Sequence, residues 1–449
     1  MKFYNTLGRE KQEFKPIKKV VGIYACGPTV YKSAHIGNLR SYIFMDILSK
    51  TLKTKYNVNL VMNITDVGHL TDDADLGEDK LEKQAKEKKL SVWDIAKKYT
   101  DEFMQDLEEL NIQKPDVIPK ATDHIPEQID MIKQIEKKGF TYKTSDGIYF
   151  DTSKIDNYGD LIPNFDPSSL QAGKRVDMKE KINPTDFALW KFSKPEDKRQ
   201  MEWDSPWGRG FPGWHIECTA MGCKYLGKKF DIHTGGVDHI TIHHTNEIAQ
   251  AKGSFGENHA NYWMHNNHLT VEGKKMSKSK DNFYTLRTIK EKGFDPLDYK
   301  YFCLLAHYRK KLNFTWDALE AASNARKKII NKFLGVAKGK VDKKFYEDFL
   351  ESLYDDLNTP KALSVIQEVI SSDLSLEDKK ATIYEMDLIL GIGIDKEITI
   401  PKEVKNLAEQ RLEAKNKKDF QKADLLRKKI GDLGYSIKDG KEGYKLIKN

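Results

Sequence analysis

Cysteine is scarce in this chain. There are four, Cys26, Cys218, Cys223 and Cys303, in 449 residues. That is too few and too scattered for a disulfide scaffold, and Cys26 and Cys218 have no nearby CxxC partner to mark a zinc ribbon. Long hydrophobic runs are also missing. No apolar stretch nears the roughly 18 residues of a membrane-spanning helix, so no membrane partner is expected. The opening MKFYNTLGREKQEF lacks the apolar core of a signal peptide, and a cytoplasmic location with reduced thiols is expected. Charge of one sign does not dominate: 75 basic against 68 acidic side chains leave a net +7, which neither proves nor excludes nucleic acid. The lysines gather late, at Lys415, Lys417, Lys418, Lys422, Lys428 and Lys429. They read either as a solvated helix face or as a phosphate-neutralising surface.

What is present describes a hydrated globular protein, 39% apolar and 32% charged, long enough for about three domains. Val20 to Ala25 reads as a buried strand broken by Gly27-Pro28. Ile36, Leu39, Ile43, Phe44, Ile47 and Leu48 then recur at helical spacing, and Asn59 to Ile64 reads as the next strand. Strand, helix, strand begins a parallel α/β sheet. A helix from Val92 to Leu110 follows, with Trp93, Ala96, Phe103 and Leu107 on one side. The pattern then changes. A helix near Pro126 to Lys138 and a hairpin signal at Asp146-Gly147 suggest an insertion. The α/β pattern returns at Phe230 to Ile232, followed by a helix from His243 to Lys252 and a strand from Tyr262 to Val271. Helices dominate after Trp316, and a last hairpin is expected around Asp439-Gly440. The expected divisions are 1–114, 115–200 (the insertion), 201–315, 316–400 (helical) and 401–449.

Two stretches stand out chemically. His35-Ile36-Gly37-Asn38 opens a helix after a strand, where a helix N-terminus can hold phosphate and glycine permits close approach. A helix-capping cluster without a ligand is the alternative. Far downstream, Gly273-Lys274-Lys275-Met276-Ser277-Lys278-Ser279 places Lys275 and Lys278 three apart in a Gly-flanked loop, suited to polyphosphate or to nothing more than solvent. Between them, DIHTGGVDHITIHHTNE, from Asp231 to Glu247, is dense in metal-type ligands. His243 and Glu247 are four apart and share a helix face. That pair could bind metal or be a surface pair, and spacing cannot join it to Cys26 or Cys218.

These motifs, in this order, resemble the HIGH and KMSKS signatures of class I aminoacyl-tRNA synthetases, and the cysteine heading CGPTVY resembles the cysteinyl-tRNA synthetases among them. The resemblance implies a Rossmann-like parallel-sheet catalytic domain with an insertion, a helical bundle that contacts tRNA and a small C-terminal anticodon-binding module. It implies zinc, one per chain, on Cys26, Cys218, His243 and Glu247, selecting the cysteine thiol, and magnesium with ATP. His35, Asn38, Lys275 and Lys278 are the implied catalytic residues. Thr29, His35, Gly37, Asn38, Gly235, Gly236, Asp238 and Lys278 are implied at ATP, and Gly27, Thr65 and Trp214 at the amino acid. Cys223 and Cys303 match no ligand.

The implied activity joins L-cysteine to tRNA(Cys) through cysteinyl-adenylate, by a monomer. The sequence departs from the family in places: Asn38 replaces a second histidine, Asp281 stands where glycine is common, Thr245 replaces a glutamate, and Gly443-Tyr444-Lys445 stands where a tryptophan is expected. Two other readings stay open: a ligase joining cysteine to an amino sugar, and a non-catalytic tRNA-binding or cysteine-sensing relative.

Overall fold

The structure is a computed structural model that describes residues 1–68, 79–165, 180–194, 199–274, 276, 282–394, 401–440 and 443–448. The chain opens with an antiparallel pair, β1 (Lys2–Asn5) and β2 (Glu10–Glu13). β3 (Val20–Ala25), α1 (Ile36–Lys53) and β4 (Asn57–Met62) form the first parallel unit. α2 (Lys80–Lys88), α3 (Val92–Glu109) and α4 (Ile125–Lys137) lead to an antiparallel sheet of β5 (Thr141–Lys143), β6 (Gly147–Phe150), β7 (Phe187–Phe192) and β8 (Gly210–Pro212). Then α5 (Trp214–Leu226), β9 (Phe230–Gly236), α6 (His243–Phe255) and β10 (Ala260–Asn266) return to the first sheet, whose order is β4-β3-β9-β10, all parallel. The antiparallel sheet is thus an insertion between β4 and β9.

Both faces of the parallel sheet are covered, as a fully parallel sheet requires. Ile23 and Ala25 face one core, with Leu60 and Met62, while Tyr24 and Val61 face the other. This is the two-residue alternation of a strand. α1 is buried nearly all round, including all six residues expected on its stripe.

β11 (Leu269–Val271) pairs in parallel with β12 (Leu312–Phe314), with α7 (Leu286–Glu291) and α8 (Pro296–Leu304) between them. The strand expected from Tyr262 to Val271 is therefore two strands, broken at Asn267-His268, whose carbonyls turn aside to accept from Arg40. α9 (Trp316–Phe333), α10 (Lys343–Tyr354), α11 (Thr359–Ser371) and α12 (Leu376–Leu390) follow. Asp342, Ser375 and Thr315 cap three of them by accepting from backbone N–H groups, and Gly391 ends α12 in the left-handed conformation. α13 (Lys402–Asn416), α14 (Phe420–Asp432), β13 (Tyr435–Gly440) and β14 (Gly443–Lys448) enclose a small core of their own, from Val404, Ala408, Ile430, Tyr435, Ile437 and Leu446.

Two local expectations change. Trp93 is 48% exposed, because the buried stripe of α3 runs Val92, Ile95, Ala96, Tyr99, Phe103, Leu107, one residue out of phase with it. Asp146-Gly147 is the second half of a four-residue turn from Thr144, in which the Thr144 N–H donates to the Gly147 carbonyl.

Candidate active site at the carboxyl edge of the sheet

In the order β4-β3-β9-β10, chain direction across the sheet reverses between β3 and β9. Ligands of open parallel sheets bind at such a point, beyond the carboxyl ends of the strands. Cys26 follows β3 directly, and its N–H donates to the Thr234 carbonyl of β9. Gly235 and Gly236 end β9, opposite His265 and Asn266 of β10. A Cβ on Gly235 would come within 2.7 Å of both His239 and His244, so this residue gives room to a histidine cluster as well as to any ligand.

α5 and α6 pack together beside this edge, and each presents an i, i+4 pair. From α5 come Trp214 and Cys218, and from α6 come His243 and Glu247. Cys218, His243 and Glu247 are each at most 2% exposed. One ligand atom from each of Cys26, Cys218, His243 and Glu247 lies within 4.8 Å of the others. The structure thus joins four residues that spacing could not. His243 Nε2 stands 3.1 Å from Glu247 Oε1, and the Trp214 ring lies against the His243 ring at 4.4 Å between centres.

Sequence reasoning missed the layer behind. His233 Nε2 meets Glu247 Oε2 at 3.0 Å, His244 Nε2 lies 3.3 Å from Cys26 Sγ, and His244 Nδ1 meets His265 Nε2 at 2.7 Å. Cys26, His233, His244 and Glu247 form a second set of possible ligands. The density of histidine between Asp231 and His244 was the available signal. Asn63, two residues before Thr65, links it to Gly27: its Oδ1 accepts from the Gly27 N–H at 2.9 Å and lies 3.8 Å from Cys218 Sγ, while its Nδ2 donates to Thr65 Oγ1 at 3.0 Å. Thr29 and Thr65 face each other in a parallel bridge.

Electrostatically the cluster asks for a cation. Burial pushes the Cys26 thiol well up, and Cys218 and Glu247 push it further. For Cys218 the hydrogen bond with Cys26 pulls downward, but burial and the carboxylates of Glu247 and Glu217 outweigh it. Burial also raises Glu247 and holds His244 well below the ordinary histidine value. A bound divalent ion reverses this logic and stabilises the thiolates. Two thiols, one imidazole and one carboxylate form a donor set that suits zinc.

The second part of the site is the start of α1. His35 caps the helix: its Nδ1 accepts from the Asn38 N–H at 3.1 Å, and Asn38 Oδ1 accepts from the His35 N–H at 3.2 Å. With Nδ1 accepting, the proton of the neutral ring sits on Nε2, which is left as a donor. Burial, then Lys32, lower the imidazole to about 4, with Asp238 opposing, so the ring is neutral near pH 7. The capping alternative and a ligand-binding role are therefore compatible, since they use different nitrogens. A Cβ on Gly37 would come within 2.7 Å of Met276 Cε, so the methionine of the lysine loop rests on this helix start. Lys275 and Lys278 lie outside the described residues. The stretch that follows them returns to His35: the Ile36 N–H donates to the Tyr284 carbonyl at 2.9 Å, and the Phe283 ring meets the His35 ring edge-on.

Residues 13–324 match the family of tRNA synthetases class I (C) catalytic domains. The chain is 48% identical to cysteine–tRNA ligase 1 of Burkholderia lata, over 99% of this chain and 96% of that protein. It is 44% identical to the cysteine–tRNA ligase of Treponema denticola over the whole of both. Among solved structures it resembles a methionyl-tRNA synthetase from Mycobacterium tuberculosis in complex with methionyl-adenylate, at a TM-score of 0.57 and 14% identity, covering 84% of this chain and 90% of that one, a likeness of fold.

Proposed function

Because the chain belongs to the cysteine–tRNA ligase family of class I tRNA synthetases, we propose that it activates L-cysteine with ATP and transfers it to the terminal adenosine of tRNA(Cys). The observation that carries the reading is the four-ligand cluster at the carboxyl ends of β3 and β9, beside a helix start whose histidine keeps Nε2–H as a donor. The cysteine carboxylate attacks the α-phosphorus of ATP, the bond to the bridging oxygen breaks, and pyrophosphate leaves. His35 Nε2–H and Asn38, with Lys275 and Lys278, stabilise the charge that develops on the phosphates. Thr29, Gly37, Gly235 and Gly236 border the nucleotide, and Asp238 accepts from ribose hydroxyls. Gly27, Thr65 and Trp214 line the amino-acid pocket. The ribose hydroxyl of tRNA then takes the cysteinyl group and AMP leaves.

Cys26, Cys218, His243 and Glu247 would hold zinc, which supplies a soft site that favours a substrate thiolate over the hydroxyl of serine. Magnesium accompanies ATP. The chain works as a monomer in the cytoplasm. The domain reading is part of the proposal: 1–114 and 201–315 as catalytic halves, 115–200 as the insertion, 316–400 as the helical bundle against tRNA, and 401–449 on the anticodon.

The amino-sugar and sensor readings are not favoured, because the match to cysteine–tRNA ligases runs over 99–100% of the chain and so includes α13 to β14. The test is cysteine-dependent ATP–pyrophosphate exchange and charging of total tRNA, with metal content measured on the same sample. Exchange without charging would return the amino-sugar reading, and neither would return the sensor.

A further inference from the structure

Arg40 lies on α1, two residues beyond Asn38, and is 3% exposed. Among the described residues it forms no ion pair with a carboxylate. Its guanidinium donates instead to backbone carbonyls on two loops. Nη1 reaches Asn267 at 2.8 Å and His268 at 2.9 Å, and Nη2 reaches Lys310 at 2.7 Å, with longer contacts to His307 at 3.4 Å and Tyr308 at 3.5 Å. Burying a cation without a counter-charge costs several kcal/mol unless its donors are satisfied, so an apolar side chain would serve better if this position only filled space. A planar fork holds five donors in fixed directions and can span carbonyls on two loops, whereas an ammonium offers three donors from a single point.

The carbonyls share a location. Asn267-His268 is the turn from β10 into β11, directly after the residues that face Gly235 and Gly236. His307 to Lys310 connects α8 to β12, the partner of β11. Asn267 ties the two loops together, its Nδ2 donating to the Arg309 carbonyl at 3.0 Å and its Oδ1 accepting from the His268 N–H at 2.8 Å. The first turn of α1 is braced separately, by Tyr299, whose hydroxyl donates to the Ile36 carbonyl at 2.6 Å.

We propose that Arg40 is a positioning residue for adenylate formation: by gripping both loops it sets the distance between the His35–Asn38 end of α1 and the β9–β10 edge. The inference rests on the reading of the site as one that activates cysteine with ATP. Its test uses the full-length, metal-loaded protein as wild type, Arg40→Met, Arg40→Lys and Asn267→Ala. ATP–pyrophosphate exchange is measured well below each variant's own melting temperature, with zinc content and the KM for cysteine. Arg40→Met should lose about 10-fold or more in kcat, the scale of a small misplacement of reacting groups, with zinc content and the KM for cysteine unchanged. Arg40→Lys should recover only part of the loss, and Asn267→Ala should fall in the same direction. A lower melting temperature with kcat unchanged would overturn the proposal. If Arg40→Met does not fold, wild-type kcat in both Arg40→Lys and Asn267→Ala overturns it equally. Wild-type protein without exchange activity would instead sink the reading beneath it, so the two failures are distinct.

Discussion

Glu247 divides its carboxylate between two imidazoles, Oε1 toward His243 at 3.1 Å and Oε2 toward His233 at 3.0 Å. A carboxylate held from behind in this way keeps one oxygen oriented for a metal. The cysteines differ in their surroundings. Cys218 lies inside the cluster, whereas Cys223, five residues on, packs at the edge of an apolar core. Cys218→Ser is therefore expected to lose zinc and cysteine activation while Cys223→Ser keeps both; equal zinc content in the two purified variants would refute the assignment. At the other pole, Lys278→Ala should slow adenylate formation by ~10² or more if the lysine acts on the transition state, with little change in cysteine affinity. Single-turnover kinetics near the wild-type rate would reduce the loop to a polar turn.

At the scale of elements, a buried ion pair joins three parts of the chain. Lys300 of α8 donates to Asp46 Oδ2 of α1 at 2.9 Å and to the Asn111 carbonyl beyond α3 at 2.9 Å, with both side chains of the pair fully buried. Asp46→Asn leaves the ammonium without its partner and should destabilise the fold by about 3–5 kcal/mol, read by chemical denaturation. Burial lowers Lys300 to about 8, against an ordinary lysine value of 10.5. Between those values the unfolded chain binds the proton and the folded chain releases it. Stability from this site therefore rises with pH from about 8 to 10.5. Wild type should gain over that range relative to Lys300→Met, and a constant difference between the two would contradict the assignment.

Elements were legible where local pattern decides. The run of Ile36, Leu39, Ile43, Phe44, Ile47 and Leu48 located α1, and the break at Gly27-Pro28 ended β3. The break at Asn267-His268 was not legible, because the cause is a guanidinium from another element. Nor was the candidate metal set legible from spacing. It exists because β9 docks beside β3, a pairing no local pattern encodes, and only the motif resemblance joined Cys26 and Cys218 to α6.

At the scale of the whole molecule, the C-terminal unit keeps its own core. Arg411 donates to Asp439 of β13 through both terminal nitrogens, at 2.8 and 3.1 Å, and Lys415 joins at 2.9 Å. The proposed function assigns cysteine and ATP to the α/β part instead. A chain ending at residue 400 should keep pyrophosphate exchange and lose tRNA charging, more steeply at higher salt. Charging equal to that of the full chain would show that residues 401–449 do not serve recognition.

The docking of β9 on β3 also has a consequence in time. Cys26 and Glu247 are 221 positions apart in the chain, and at 5–20 residues per second synthesis takes about 10–45 s to pass from one to the other. For most of that interval, from the synthesis of β4 to that of β9, β3 has β4 on one side and an unpaired edge on the other, the edge β9 later takes. A bare edge is a template for any passing strand. On the ribosome, then, the nascent amino-terminal half is exposed to mispairing, and Cys26 is without the other candidate metal ligands, until the insertion has been made and the second half of the sheet arrives to close it.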